Sequence, residues 1–359
     1  MKQTFSLFIF LLICQIGTAQ KAESKSKVSD EAGKEKNLDF VPVPYVNYNR
    51  TTEFEYGLMP MFMYRFNPED TISPKSISGG LAVNTTNNTT FGLIFSRLYF
   101  KEDKYRATIA AGIGNYNAQV FISNVFLPTK FYDFTTEFQL LNLGLQRRVW
   151  NNLFLGLGYL HIETDSYLTE FDSFVSSHER TGVFFTANND NRDNVYFPLK
   201  GSLTEMKLFS FLDWFGNDES SVVLNIAWNS YRQVRRKKDV LASRISAESV
   251  FGDVSFEQQT IVGGREIRGY PQGKYRGEQI VNLQSEYRWM PLEKVGFVGF
   301  ASISKLFGSN IEEHNKYWYP AVGAGFRYLV LEQNQMRVGL DYAVGKEDWG
   351  VYFKIGESF

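Results

Sequence analysis

Residues 280–289 read Ile-Val-Asn-Leu-Gln-Ser-Glu-Tyr-Arg-Trp, and their alternation decides the fold class. Val281, Leu283, Tyr287 and Trp289 fall on one side of an extended chain, while Asn282, Gln284, Glu286 and Arg288 fall on the other. A helix would scatter these residues around its axis; a strand sorts them into one greasy and one wet face. The split recurs in 336–344, where Met336, Val338, Leu340, Tyr342 and Val344 oppose Arg337, Gly339, Asp341 and Ala343. It returns in 349–356, with Trp349, Val351, Phe353 and Ile355 against Gly350, Tyr352, Lys354 and Gly356.

Alternation alone also suits a soluble sandwich, so composition has to separate the two. Aromatic residues make up 16% of the 359, yet the mean hydropathy is only -0.26. Tyr, Trp and Phe on the apolar faces suit lipid and its interface, and ionised residues with glycine on the polar faces suit a hydrated interior. Strands are predicted at 41–48, 54–66, 75–85, 90–100, 104–114, 134–148, 152–162, 180–188, 200–212, 220–233, 239–251, 277–289, 293–306, 319–331, 335–346 and 349–358. Residues 116–123 either extend the fifth strand or fold as a loop. The fold class is therefore all-β, a transmembrane antiparallel β-barrel of about sixteen strands over 40–359. An even strand number puts both ends of the barrel on the periplasmic side. The short connections 290–293 and 332–335 belong there, and the longer 163–179, 252–276 and 307–318 face outward.

The apolar run Leu7 to Ile13, with Lys2 before it and Gly17 and Ala19 after it, reads as a signal peptide over 1–19. No other segment is long and apolar enough for a membrane helix. Residues 20–39, rich in Lys, Ser and Glu, read as a disordered periplasmic linker. Ile13 in front of Cys14 does not fit lipoprotein cleavage, and loss of Cys14 with the signal would leave no thiol. A net charge of -1 gives no case for nucleic acid. His161, His178 and His314 lack metal-ligand spacing, and Ser166, Ser173 and Ser176 sit in a predicted loop beside His178. No metal, cofactor or enzymatic activity is expected. The basic run 235–238 falls at a predicted periplasmic turn, where it reads as a solvated cap or a lipid-headgroup contact.

The stretch Val262-Gly263-Gly264-Arg265-Glu266-Ile267-Arg268-Gly269-Tyr270 puts three glycines around a charged core, which lets the backbone fold tightly. Alone, it is either a solvated turn or a plug for a polar lumen. Three further stretches accompany it: Ser285-Glu286-Tyr287-Arg288 on the next strand, Asn189-Asp190-Asn191-Arg192-Asp193-Asn194 leading to Phe197-Pro198 and Gly201, and the aromatic Phe359. In this order the motifs resemble the BamA/TamA superfamily of outer-membrane barrels, also called the bacterial surface antigen family, over everything after the linker.

The resemblance implies a bacterial outer-membrane location, contact with outer-membrane lipid, and Phe359 as a targeting signal. It implies that Ile267, Arg268, Gly269 and Tyr270 fold back into the lumen, where Arg268 meets acids on the inner wall. Glu286 is the first of these. The second belongs to a Phe-x-Asp-x-Gly pattern, but this chain has Phe300-Ala301-Ser302-Ile303-Ser304, so Ser302 can give only a neutral hydrogen bond. Arg268 then either anchors the loop or works directly in transport. The implied function is insertion or translocation of a client polypeptide through a seam between the first strand and the last. Pro42 and Pro44 support this modestly, because they remove ladder donors from the first strand. The family's periplasmic repeat domains have no counterpart in the short linker, so recruitment would need a separate periplasmic partner, a homodimer or direct contact with the lumen. The alternative function is a passive channel or a structural scaffold subunit of an outer-membrane complex.

Overall fold

The computed structural model describes residues 38–49, 52–122, 130–168, 175–235, 238–254, 258–264, 266–271, 274–331, 335–346 and 348–359. The signal peptide, residues 20–37 of the expected linker, Ser173, Arg236 and Lys237 lie outside the described residues.

Eleven strands run in chain order around a closed wall: β1 (Leu38–Asn49), β2 (Glu53–Tyr64), β3 (Ser76–Thr85), β4 (Thr90–Phe100), β5 (Tyr105–Ile122), β6 (Lys130–Trp150), β7 (Leu153–Leu168), β8 (Val175–Asp190), β9 (Gly201–Phe211), β10 (Ser221–Gln233) and β11 (Val240–Gly252). Two short strands, β12 (Thr260–Ile261) and β13 (Arg276–Gly277), pair only with each other in the connection that follows. The wall resumes with β14 (Gln279–Trp289), β15 (Val295–Phe307), β16 (Trp318–Leu331), β17 (Met336–Val344) and β18 (Trp349–Ile355), which closes on β1. Sixteen antiparallel strands thus form the barrel, as the sequence pattern predicts.

Burial is inverted relative to a water-soluble protein, where long charged side chains are almost never fully buried. Glu286, Arg288, Arg327 and Asp341 are fully buried, whereas Leu283 and Tyr342 are each 50% exposed. Water-seeking groups line the inside and apolar groups form the outside, which is stable only against lipid. Closure pairs the strand edges around the wall.

Two features depart from the sequence reading, and one alternative that it left open is decided. The described residues of 163–179 are strand, because β7 and β8 run into the expected loop and pair there, as the Thr164 hydroxyl does in donating to the His178 carbonyl at 3.4 Å. β5 continues to Ile122, the strand-extension alternative for 116–123. The lumen is also not polar throughout. The inner face of β1 to β4 is apolar, with Met59, Met61, Met63, Val83 and Leu93 packed in one cluster. Flexible thioethers fill irregular space well, so this quarter of the wall packs mainly through apolar contacts, with Lys75 pairing Asp39 at 3.0 Å beside it.

Candidate functional site

The connection between β11 and β14 enters the barrel, and its glycines explain how. Gly263, Gly264 and Gly269 adopt φ of 128°, 71° and 89°, a region that costs other residues strain. A Cβ on Gly269 would lie 2.7 Å from the Gly345 nitrogen, so only glycine lets the loop pass this close to the wall. The Gly269 N–H donates to the Tyr352 hydroxyl at 2.9 Å, and the Tyr270 hydroxyl donates to the Pro320 carbonyl at 2.6 Å. Ile267 and Tyr270 pack with Tyr275 and Tyr319 in a buried cluster. All four motif residues are thereby fixed against β16, β17 and β18.

Arg268 sits at the centre, with its guanidinium carbon 3.4 Å from the centroid of the Phe300 ring. Its Nη1 donates to Asp341 Oδ2, and its Nη2 lies 3.6 Å from Glu286 Oε2. Ser302, the expected second partner, faces Gln284 and Ala321 across the ladders and does not enter this contact. The second acid comes from β17, three strands along from β14 in the wall's order. Asp341 already stood on the polar face of 336–344, so the alternation held the signal while the motif spacing pointed elsewhere.

The ion pairs continue into a ring. Arg268 pairs Asp341, Asp341 pairs Arg327 at 2.5 Å, and Arg327 pairs Glu357 at 3.1 Å. Glu357 lies 3.5 Å from Arg288, which pairs Glu286 at 2.9 Å, and Glu286 returns to Arg268. Each of the three arginines lies between two carboxylates, and each carboxylate between two arginines. Alternation is what makes such a buried cluster tolerable, because desolvation of each ion is offset on two sides.

A second anchor was not legible from the motif. The Glu266 carboxylate accepts both Nε and Nη2 of Arg244 at 2.9 and 2.8 Å, and also Ser246 Oγ at 2.7 Å. The loop is therefore held on β11 by a fork and on β14 and β17 by the ring. Between them lies a lumen cavity of about 380 Å³, bordered by Arg192, Lys207, Glu205, Glu248 and Asn229.

The opposite rim is closed by the turn 191–200. Asp190 binds Arg192 at 2.8 Å and Arg106 at 3.0 Å, while Asp193 Oδ1 accepts the Leu199 and Lys200 N–H groups. Thus the Asp-x-Arg-Asp stretch builds a turn rather than a catalytic group. From it, the Tyr196 hydroxyl reaches the Lys75 carbonyl at 2.6 Å, and Phe197 packs under the inner wall.

The seam between β1 and β18 differs from every other junction. β1 and β2 pair continuously from Leu38↔Tyr64 to Asn49↔Glu53, but among the described residues β1 and β18 register only at Tyr48↔Val351. Opposed residues in an antiparallel ladder exchange either two N–H bonds or none. Pro42 lies opposite Pro60, and neither has an N–H, so both nitrogens point away from that ladder. On β1 this direction is toward β18, and Pro44 and Tyr48 share it by the two-residue period. Continuing the Tyr48↔Val351 register puts Pro44 opposite Ile355 and Pro42 opposite Glu357. The donors are missing where β18 stops.

Past Ile355 the chain turns inward at Gly356, with φ of 76°, and its N–H donates to the Arg337 carbonyl at 2.7 Å. Phe359 packs inside against Tyr231, Val240 and Ala242, not on the lipid face. Two aromatic pairs bridge the seam itself, Tyr48–Trp349 at 5.4 Å and Tyr45–Phe353 at 6.4 Å.

Comparison with known proteins agrees with this geometry. The Omp85 superfamily domain matches residues 73–359. The chain belongs to the Omp85 superfamily. Among solved structures, BamA from Haemophilus ducreyi lacking POTRA domains 1–3 is similar at 15% identity and a TM-score of 0.60, over 89% of this chain and 70% of that one. CdiB from Escherichia coli is similar at 13% identity and a TM-score of 0.65, over 90% of this chain and 63% of that one. CdiB from Acinetobacter baumannii gives 13% and 0.59, over 89% and 60%. The chain thus spans less than two thirds of either CdiB. No curated protein matches. As an Omp85 barrel the protein resides in the bacterial outer membrane, and the rim with the turn 191–200 is the one expected on the periplasmic side.

Proposed function

We propose that this Omp85 barrel assists the insertion or translocation of a polypeptide at the outer membrane by parting the seam between β1 and β18. The single register pair at that seam carries the reading. Parting it exposes the β1 edge, to which a client strand can add by main-chain hydrogen bonds. One ladder contact is a small barrier, since a backbone hydrogen bond contributes only about 1 kcal/mol net. The in-turned tail and the donorless prolines keep the lower seam from zipping further.

In this reading the loop between β11 and β14 plugs the lumen, and Arg268 anchors it through the ion ring rather than acting on a client. The loop above and the turn 191–200 below both cross the lumen, which weighs against a passive channel. No catalytic step is involved. Client recruitment falls to a separate periplasmic partner or a second copy of the chain, and Phe359 serves in targeting before it is buried.

The test is a disulfide across the seam, Tyr48→Cys with Val351→Cys, in proteoliposomes that receive an unfolded client barrel. Client folding should be faster with the wild-type chain than with empty liposomes, should fall to the empty-liposome rate on oxidation, and should recover on reduction. Full assistance by the locked protein would exclude the gate.

A further inference from the structure

Three arginines of this chain grip carboxylates through the parallel Nε and Nη2 edge. Arg106 holds Asp103 at 2.8 and 2.8 Å, Arg192 holds Asp190 at 2.8 and 3.0 Å, and Arg244 holds Glu266 at 2.9 and 2.8 Å. That edge matches the two oxygens of a carboxylate in one plane. Arg337, at the periplasmic start of β17, departs from the pattern. It is 1% exposed, yet its Nε and Nη2 meet no acceptor among the described residues. Its only donated bond runs from Nη1 to the Gln335 carbonyl at 3.0 Å.

The surroundings supply a shaped site without an acid. Phe197 lies under the flat face of the guanidinium at 3.9 Å. Leu329 stands opposite on β16, and the neighbour on the other side is Gly356, which has no side chain. The nearest carboxylate, Glu357, holds Arg327 and Arg288 through Oε2, leaves its Oε1 without a partner among the described residues, and forms no ion pair with Arg337. A buried cation with an unmatched fork is costly to keep. A second donor, Arg288 Nη1, also lacks an acceptor, and its guanidinium lies 5.9 Å from the same Phe197 ring.

We propose that Arg337 is a receptor for a carboxylate side chain of a polypeptide that enters from the periplasm. The inward position on β17 turns the fork away from lipid, which excludes a phospholipid headgroup. Entry is where the turn 191–200 meets residues 356–359, so binding shifts one of these two segments. The proposal does not depend on whether the seam opens.

The experiment uses the full chain in nanodiscs and two fluorescent, capped hexapeptides that differ only in one Glu or Gln, read by anisotropy. The Glu peptide should bind at least tenfold tighter than the Gln peptide, and acetate should compete. Arg337→Gln should abolish the preference. Arg337→Lys, which keeps the charge but loses the fork, should weaken Glu-peptide binding at least tenfold. Both variants should keep the folded, heat-modifiable band, because Arg337 holds no internal carboxylate; if Arg337→Gln fails to fold, the wild-type peptide pair and Arg337→Lys still decide. Equal affinity for the two peptides, or a preference unchanged in the variants, would overturn the proposal and leave a guanidinium solvated by water. Binding of inorganic phosphate without binding of the Glu peptide would overturn it equally.

Discussion

The junction of β5 with β6 and the junction of β1 with β18 are made from the same kind of strand, yet they are opposites. β5 and β6 pair without interruption from Tyr105↔Arg147 to Ile122↔Lys130, while among the described residues β1 and β18 register only at Tyr48↔Val351. β6 has 21 residues and β18 has 7, which at about 3.3 Å per residue is roughly 70 Å against roughly 23 Å of strand. Length is only part of the difference. Two prolines and one in-turned glycine determine where pairing ends, so the weak line is written into the local chemistry of β1 and Gly356. The ion ring stands directly beside that line, on β14, β16, β17 and the tail. A barrel with one weak seam needs its flank held by something other than ladder bonds.

The largest expected effect comes from removing the ring's link to the loop. Arg268→Ala leaves Asp341 and Glu286 short of a partner and should cost about 3 to 5 kcal/mol. Loss of the heat-modifiable folded band and a lower urea midpoint would show it. An unchanged midpoint and unchanged outer-membrane abundance would mean that the ring does not support the flank.

Glu266→Gln should cost less, about 1.5 to 3 kcal/mol, because it removes a charge-assisted fork while Arg244 keeps its bond to Asn229 at 2.8 Å. Limited proteolysis on whole cells should cut the loop between β11 and β14 faster than in the wild type. Equal cutting would assign the loop's hold to Arg268 alone.

Pro42→Val combined with Pro44→Val approaches the comparison from the other side. The donor restored at position 44, opposite Ile355, should strengthen the seam by about 1 kcal/mol and slow client folding in proteoliposomes, while the one at position 42 faces the in-turned tail and should add little. An unaltered rate would separate seam strength from function.

The smallest effect concerns a periplasmic turn far from the ring. Burial works against the charged form of Asp70, but hydrogen bonds from Ser73, Glu102 and Ile72 outweigh it and hold the carboxyl down at about 2. A depressed value stabilises the folded turn above the ordinary carboxylate range near 4, and that contribution fades as the pH falls toward 2. Asp70→Asn should therefore narrow the difference in urea midpoint between pH 6 and pH 3, and an identical difference in both proteins would remove Asp70 from that balance.

The strand pattern was legible because each strand meets lipid on one side and the lumen on the other, so a period of two is imposed on the sequence. Glu286 could be read for the same reason. Asp341 was missed as a partner because the in-folded loop joins β14 to β17, three places along the wall, a contact that no strand-by-strand alternation encodes. Glu266 was hidden by its place beside a stronger motif. Residues 163–179 looked like a loop because Ser, Thr and Asp favour turns when alone, whereas paired strands let them satisfy one another. The apolar inner face of β1 to β4 shows the limit of the rule that a lumen is wet: alternation reports two faces only when their solvents differ.

Hydrogen exchange measured by mass spectrometry on the protein in nanodiscs compares the two junctions directly. Peptides covering Val43 to Tyr48 and Trp349 to Ile355 should exchange orders of magnitude faster than those covering Tyr105 to Tyr116 and Phe138 to Arg147. Equal protection at both junctions would contradict a seam held by one ladder pair.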